Sequence, residues 1–178
     1  MLKFILIGLA VVFIIFLIVA AMQPSSFRIT RSAVIAAPVS TVFEQFNDFH
    51  KWNAWSPWAK MDPTAKNSFD GPEAGTGAKF AWEGNNKVGQ GKMTIMESSP
   101  SKLIRIKLEF LKPFACTNTA EFTFEPQGNQ TAITWAMTGE KNFMSKAFCM
   151  FMNMDKMVGG DFEKGLASMK SLAEAQAK

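Results

Sequence analysis

"KLIRIKLEF", residues 102–110, decides the fold. Ile104, Ile106, Leu108 and Phe110 alternate without interruption with Leu103, Arg105, Lys107 and Glu109. Successive side chains of a strand point to opposite faces, so a period of two marks a strand. One apolar face and one charged face mark an antiparallel sheet that is wet on one side. The same rhythm recurs on either side. Before it, Ala78, Phe80 and Trp82 alternate with Lys79 and Glu83, and Met93 and Ile95 alternate with Lys92 and Thr94. After it come Ala120, Phe122 and Phe124, then a turn at "PQGNQ", then Ile133, Trp135 and Met137.

The flanks are helical or irregular. "FRITRSAVIAAP" reads as a first strand stopped before Pro38, and "PVSTVFEQF" as a short amphipathic helix opened by that proline. Residues 59–76 are rich in turn formers and carry no periodic signal. Beyond Gly139 the period lengthens. Met154, Met157, Val158, Phe162, Leu166, Met169 and Ala173 recur at steps of three and four, the stripe of a long C-terminal helix. The Met-rich "NFMSKAFCMFMNM" before it is expected to be a shorter helix or a loop lying on the sheet. The fold class is therefore α+β, with the dry sheet face covered by the last helix.

The N-terminus is a separate matter. From Phe4 to Met22 there is no charge, and about 1.5 Å per residue carries that run across roughly 30 Å of hydrocarbon. A cleaved signal peptide is the rival reading, with Lys3 as its basic start, but the apolar run exceeds the usual roughly 7–15 residues. The expected organisation is an anchor over 1–22, a linker over 23–26 and one domain over 27–178. Lys3 before the span and Arg28 and Arg31 after it nearly balance, so charge alone does not orient the anchor. A single anchor with almost no preceding tail is expected to leave its domain outside the cytoplasm.

Chemistry-bearing residues are sparse. The net charge is +4 and dispersed, which argues against a nucleic-acid surface. Cys116 and Cys149 have no metal-ligand or CxxC spacing and are expected to be buried free thiols, or one disulfide in an exported domain. The one histidine, His50, has no nucleophile or orienting acid in any recognisable sequence pattern, so no catalytic residue is assigned. One His and two distant Cys form no zinc set, and no metal or cofactor is expected. Gly75/Gly77 and Gly89/Gly91 precede strands rather than a helix, which suits turns and bulges instead of a phosphate loop. Gly159-Gly160 interrupts the helical stripe and calls for a close approach or a kink there.

What the chain has in excess is aromatic and thioether bulk: 17 Phe, 5 Trp and 12 Met, with no Tyr. The inward positions Phe80, Trp82, Met93, Ile106, Phe110, Trp135 and Met137 face Met157 and Phe162 of the last helix. These nine are the candidate ligand-binding residues if a cavity opens between sheet and helix. A solid core is the alternative. Trp52, Trp55 and Trp58 in "DFHKWNAWSPW", residues 48–58, are expected to plug one end of that core, with ligand stacking as the alternative.

The words "RSAVIAAPVSTVFEQFNDFHKWNAWSPW", "GPEAGTGAKFAWEGNNKVGQGKMTI" and "DKMVGGDFEKGLASMK" resemble the START-like helix-grip superfamily, and within it the polyketide cyclase/dehydrase-type (SRPBCC) proteins. They span residues 27 to about 175. The resemblance implies a curved antiparallel sheet gripping the C-terminal helix, in a chain type that often carries one N-terminal transmembrane helix. It also implies a hydrophobic small molecule or lipid as partner. The function expected is a membrane-anchored, non-enzymatic binding domain. The alternatives are a cyclase/dehydrase-like enzyme and an accessory domain docking another membrane protein.

Overall fold

The alternating stretch forms strand β5 (Leu103–Lys112), the central strand of a seven-stranded sheet. The computed structural model describes residues 1–177. Helix α1 (Leu2–Met22) leads into β1 (Ser26–Ile35), α2 (Val39–Asn47), a 3-10 turn (Phe49–Ala54) and α3 (Pro57–Met61). Strands β2 (Lys66–Asp70), β3 (Lys79–Glu83), β4 (Gln90–Ser99), β5, β6 (Cys116–Gln127) and β7 (Gln130–Glu140) follow, then α4 (Phe143–Cys149) and α5 (Met154–Gln176). All seven strands pair antiparallel in the order β1-β7-β6-β5-β4-β3-β2. The curved sheet grips α5, the helix-grip fold that the family resemblance implied.

Register explains which side chains meet. Ile106 lies opposite Ile95 and Ala120, and Phe122 opposite Ile104 and Trp135, so the dry faces stack in rows. On the wet face Arg105 bonds Glu97 and Glu121, and Lys107 and Lys92 pair with Glu109. Exposed pairs of this kind contribute at most about 1 kcal/mol each. Burial of the inward rows holds the sheet to α5.

Three expectations change. The turn-rich 59–76 segment contains the end of α3 and the edge strand β2, whose "KNSFD" is exposed throughout and pairs with β3 through its backbone, leaving no apolar rhythm to read. Cys116 is exposed at the start of β6 and Cys149 half-buried; both thiols are free. The Met-rich segment does form a helix, α4, but it lies against α1 instead of the sheet: Phe151 stacks on Phe16 with centroids 5.9 Å apart.

Candidate functional site

The site grows from the end of the sheet nearest α1. β7 ends at Glu140, β5 at Lys112, and β4 begins at Gln90, so Met137, Phe110, Leu108 and Met93 all sit near that end. Over them pass α3 and the first turns of α5. Between sheet and helices is a cavity of about 570 Å³, lined chiefly by apolar side chains. Its volume falls in the range of small-molecule sites, roughly 300–1,000 Å³. A sealed, dry void of that size, at about 24 cal/mol per Å³, would cost on the order of 14 kcal/mol, a whole domain's stability. The cavity is not sealed. Exposed Met157, Lys87, Asn53 and Pro63 lie at its rim.

Eight of the nine candidate positions surround this space: Phe80, Trp82, Met93, Phe110, Trp135, Met137, Met157 and Phe162. Ile106 does not. It is fully enclosed between Ile95 and Ala120, in the filled part of the core. Phe122, read from the sequence as inward, also lines the cavity; sequence reasoning did not assign Leu108, Ala120, Met61 or Val88 to the wall. Leu108 and Ala120 share the inward parity and were legible. Met61 and Val88 belong to α3 and the β3–β4 loop, where no periodicity marks them.

The three clustered tryptophans divide the work. Trp55 is wholly buried, 4.6 Å from Phe46 by ring centroid, and Trp52 packs on Phe49 and Phe122. Their indole N–H groups donate to the carbonyls of Gln45 and Phe46, tying the 3-10 turn to the end of α2. Both are plugs, although Trp52 also borders the cavity. Trp58, half-buried on α3, is a wall residue set edge-on to Trp135 and Phe162.

Trp135 is the central wall residue. It stacks on Phe162 with centroids 4.0 Å apart and planes at 9°, and its benzo edge lies against Gly165 of α5. A Cβ at Gly165 would come within 3.0 Å of that edge, so the glycine sets how closely α5 approaches the sheet. The Trp135 Nε1 is buried without a hydrogen-bond partner. A buried unpaired donor carries a desolvation cost of about 1–3 kcal/mol.

The two acids of the lining, Asp62 and Asp161, are already engaged. The Asp62 carboxylate accepts from Thr64 Oγ1 at 2.7 Å, Thr64 N at 3.1 Å and Asn85 N at 2.7 Å. The Thr64 hydroxyl, then the Asn85 amide, hold its pKa below the usual carboxylate value. Asp161 pairs with Lys164 at 2.9 Å. The first turn of α5 is clamped by an inward-facing arginine that the sequence marked only as a flanking charge. Arg31 bonds Asp155 through Nη1 at 3.1 Å and Nη2 at 3.0 Å, and Glu163 through Nε at 2.6 Å. Its guanidinium lies where a Cβ on Gly159 would be, 2.1 Å from Nη2. That explains one of the paired glycines as a close approach; Gly160 has nothing within 4 Å.

No His or Cys lines the cavity. His50 is on the surface, stacked on Phe69 at 4.0 Å with Nδ1 2.9 Å from Asp48. The acid partner absent from sequence reasoning is therefore present, but Asp48 is the cap of the 3-10 turn, and no nucleophile bonds the imidazole. No group of three or more metal-ligating side chains occurs among the described residues. A second hollow, of about 500 Å³, is lined by Ser26, Arg28, Thr117, Thr119, Thr138 and Glu140 among others, the walls of an ordinary solvated surface.

Solved structures share the architecture. A protein, CV1439, from Chromobacterium violaceum superposes with a TM-score of 0.59 at 16% identity, covering 85% of this chain and 99% of its own. The Aha1 dimer from Colwellia psychrerythraea gives 0.60 at 14%, covering 83% and 96%. The di-domain ARO/CYC StfQ of the steffimycin biosynthetic pathway gives 0.60 at 11%, covering 86% of this chain and 52% of that one. Among curated proteins none matches. The family model for polyketide cyclase / dehydrase and lipid transport matches residues 26–174, nearly the whole domain after α1. The chain belongs to that family.

Proposed function

We propose that this protein is a membrane-anchored binding domain that holds a hydrophobic small molecule or lipid and does not turn it over. The observation that carries this reading is the open cavity of about 570 Å³ whose inner wall is aromatic and thioether. Such walls reward burial at about 25 cal/mol per Å² of apolar surface and adapt to shape through methionine. Among the described residues their titratable neighbours are Asp62, Asp161 and Lys87, and both acids are bonded elsewhere.

A carboxylate would meet no cation deep in the cavity and would bear a large desolvation cost. The proposed ligand is therefore a largely apolar, uncharged molecule. The proposed anchor is α1, a 21-residue helix with an uncharged run from Phe4, with the binding domain on the extracytoplasmic side.

Native mass spectrometry of full-length protein released from membranes tests the reading. A co-purifying neutral lipid supports it. A stoichiometric protein partner instead favours the accessory role, and conversion of an added polyketide-type ketone favours the enzyme. Resistance to carbonate extraction, with Met1–Met22 retained in the intact mass, supports the anchor; a mature N-terminus near Met22 rejects it.

A further inference from the structure

The segment between β7 and α5 is apolar, exposed and off the sheet. Phe143, Met144, Phe148, Phe151 and Met152 are 45, 74, 54, 79 and 37% exposed, and α4 has no buried residue. So dense a patch of bulky apolar groups is a contact surface, not ordinary solvated exterior. Its position tells what it contacts. The Phe151 ring stacks on Phe16 of α1, and Lys146 Nζ donates to the carbonyl of Ala21 at 3.4 Å. At about 1.5 Å per residue, Phe16 lies about 9 Å along α1 from its last residue, Met22.

We infer that α4 and the residues through Met152 form a foot seated in the bilayer beside α1, holding the mouth of the cavity against lipid. This rests on the reading of α1 as a membrane span. A depth of about 9 Å matches the roughly 5–10 Å to which interfacial apolar faces sink. Lys146 has the geometry of a snorkelling lysine. Its ammonium reaches the last turn of α1, where the carbonyls lack intrahelical donors. The occupant of the patch is the acyl-chain boundary of the membrane that α1 crosses.

The foot connects directly to the cavity. Met157, 45% exposed and part of the lining, is in the first turn of α5 just after the foot. Met137 and Phe110 line the cavity from strand ends on the same side of the sheet as α1. Leu111 and Phe114, 48 and 81% exposed, extend that apolar end through the β5–β6 turn. The ligand consequently comes from within the bilayer: a molecule that partitions into membrane, not one delivered through water.

Depth-dependent quenching tests this on the full chain in phosphatidylcholine vesicles. Cys116 and Cys149 are replaced by Ser, and a nitrobenzoxadiazole label is attached singly through Phe13→Cys in α1, Phe148→Cys in α4, or Met96→Cys near the far end of β4. Quencher is a spin label on the lipid acyl chain. The expected result is quenching of the first two labels at least threefold above the third. Quenching at Phe13→Cys with Phe148→Cys no better than Met96→Cys overturns the foot and leaves the anchor standing. No quenching at Phe13→Cys removes the anchor and the foot together. In a second measurement, Phe148→Asp with Phe151→Asp is expected to slow uptake of a vesicle-dissolved naphthalene dye at least tenfold, with thermal unfolding unchanged. Unchanged uptake in that variant overturns the link between foot and mouth.

Discussion

At the end of the sheet far from α1, Ile35, Phe46, Ile104 and Ile133 are each fully enclosed, whereas nearer α1 Phe80, Trp82, Leu108 and Phe110 are only half-buried around open space. The residue types are alike, and both groups alternate with polar neighbours. The difference is what lies on top. The far end is closed by α2 and the 3-10 turn, which supply Phe43, Phe46, Phe49, Trp52 and Trp55. The near end is covered only by short α3 and the first turns of α5, which carry Gly159 and Gly160. A cavity in this fold is thus a local deficit of covering side chains, with no change in the sheet beneath it.

Truncation at the two ends should separate them most sharply. Phe46 touches Trp55, Phe122 and Phe124 with ring centroids 4.6, 4.7 and 5.7 Å away. Phe46→Ala is expected to cost about 3–5 kcal/mol in chemical denaturation, the full transfer and cavity penalty. Phe110, with Trp82 as its edge-on aromatic neighbour at 5.9 Å, already lacks contacts on its cavity side. Phe110→Ala should cost about 1–2 kcal/mol while changing the affinity for a fluorescent apolar probe at least threefold. Equal costs, with no probe effect, would mean that the near end is a packed core and that the binding proposal is wrong.

Acid should loosen the near end first. Arg31 holds the Asp155 carboxyl below its ordinary value, and Thr64 and Asn85 do the same for Asp62. A carboxylate with a depressed folded-state pKa contributes stability that is present above its unfolded value, near 4, and lost as pH falls through the folded value. One ties α5 to β1 and the other ties α3 to the β3–β4 loop, the elements that cover the near end. Amide exchange at Thr64, Asn85 and the first turn of α5 is expected to speed up between pH 7 and pH 3 relative to β6 and β7. Uniform acceleration across the sheet would show that the near end has no separate acid response.

How far the sequence could be read follows from the same division. The inward rows of β3 to β7 and the α5 stripe repeat with period two or with steps of three and four, so Phe80, Trp82, Trp135 and Phe162 were assigned from pattern alone. Burial is a binary property of a face, though, and pattern cannot tell a filled face from a hollow one. Ile106 and Phe110 have the same parity on β5, yet one is enclosed and the other lines the cavity. Arg31 was read as a flanking charge because an inward arginine needs partners distant in the chain, and Asp155 and Glu163 are helical surface residues by pattern. The α4 segment carried a true apolar signal with the wrong target. Nothing local distinguishes a side chain that covers a sheet from one that lies beside the apolar N-terminal helix.

The paired glycines of α5 give the smallest and most local contrast. Glycine inside a helix is about 1 kcal/mol less favourable than alanine, so either position could gain by substitution if space allows. At Gly160 a Cβ meets nothing within 4 Å, and Gly160→Ala is expected to raise stability by about 0.5–1 kcal/mol. At Gly159 the same Cβ would fall 2.1 Å from Arg31 Nη2 and 2.4 Å from Cζ. A free arginine could swing away, but this one is held by Asp155 on one side and Glu163 on the other. Moving it breaks the clamp on the first turn of α5, so Gly159→Ala should show no gain and should lose the acid sensitivity predicted for that turn. Thermal unfolding of the two variants at pH 7 and pH 3 checks both. A gain at Gly159 as large as at Gly160, with the acid response intact, would show that the Arg31 clamp does not hold the helix against the sheet.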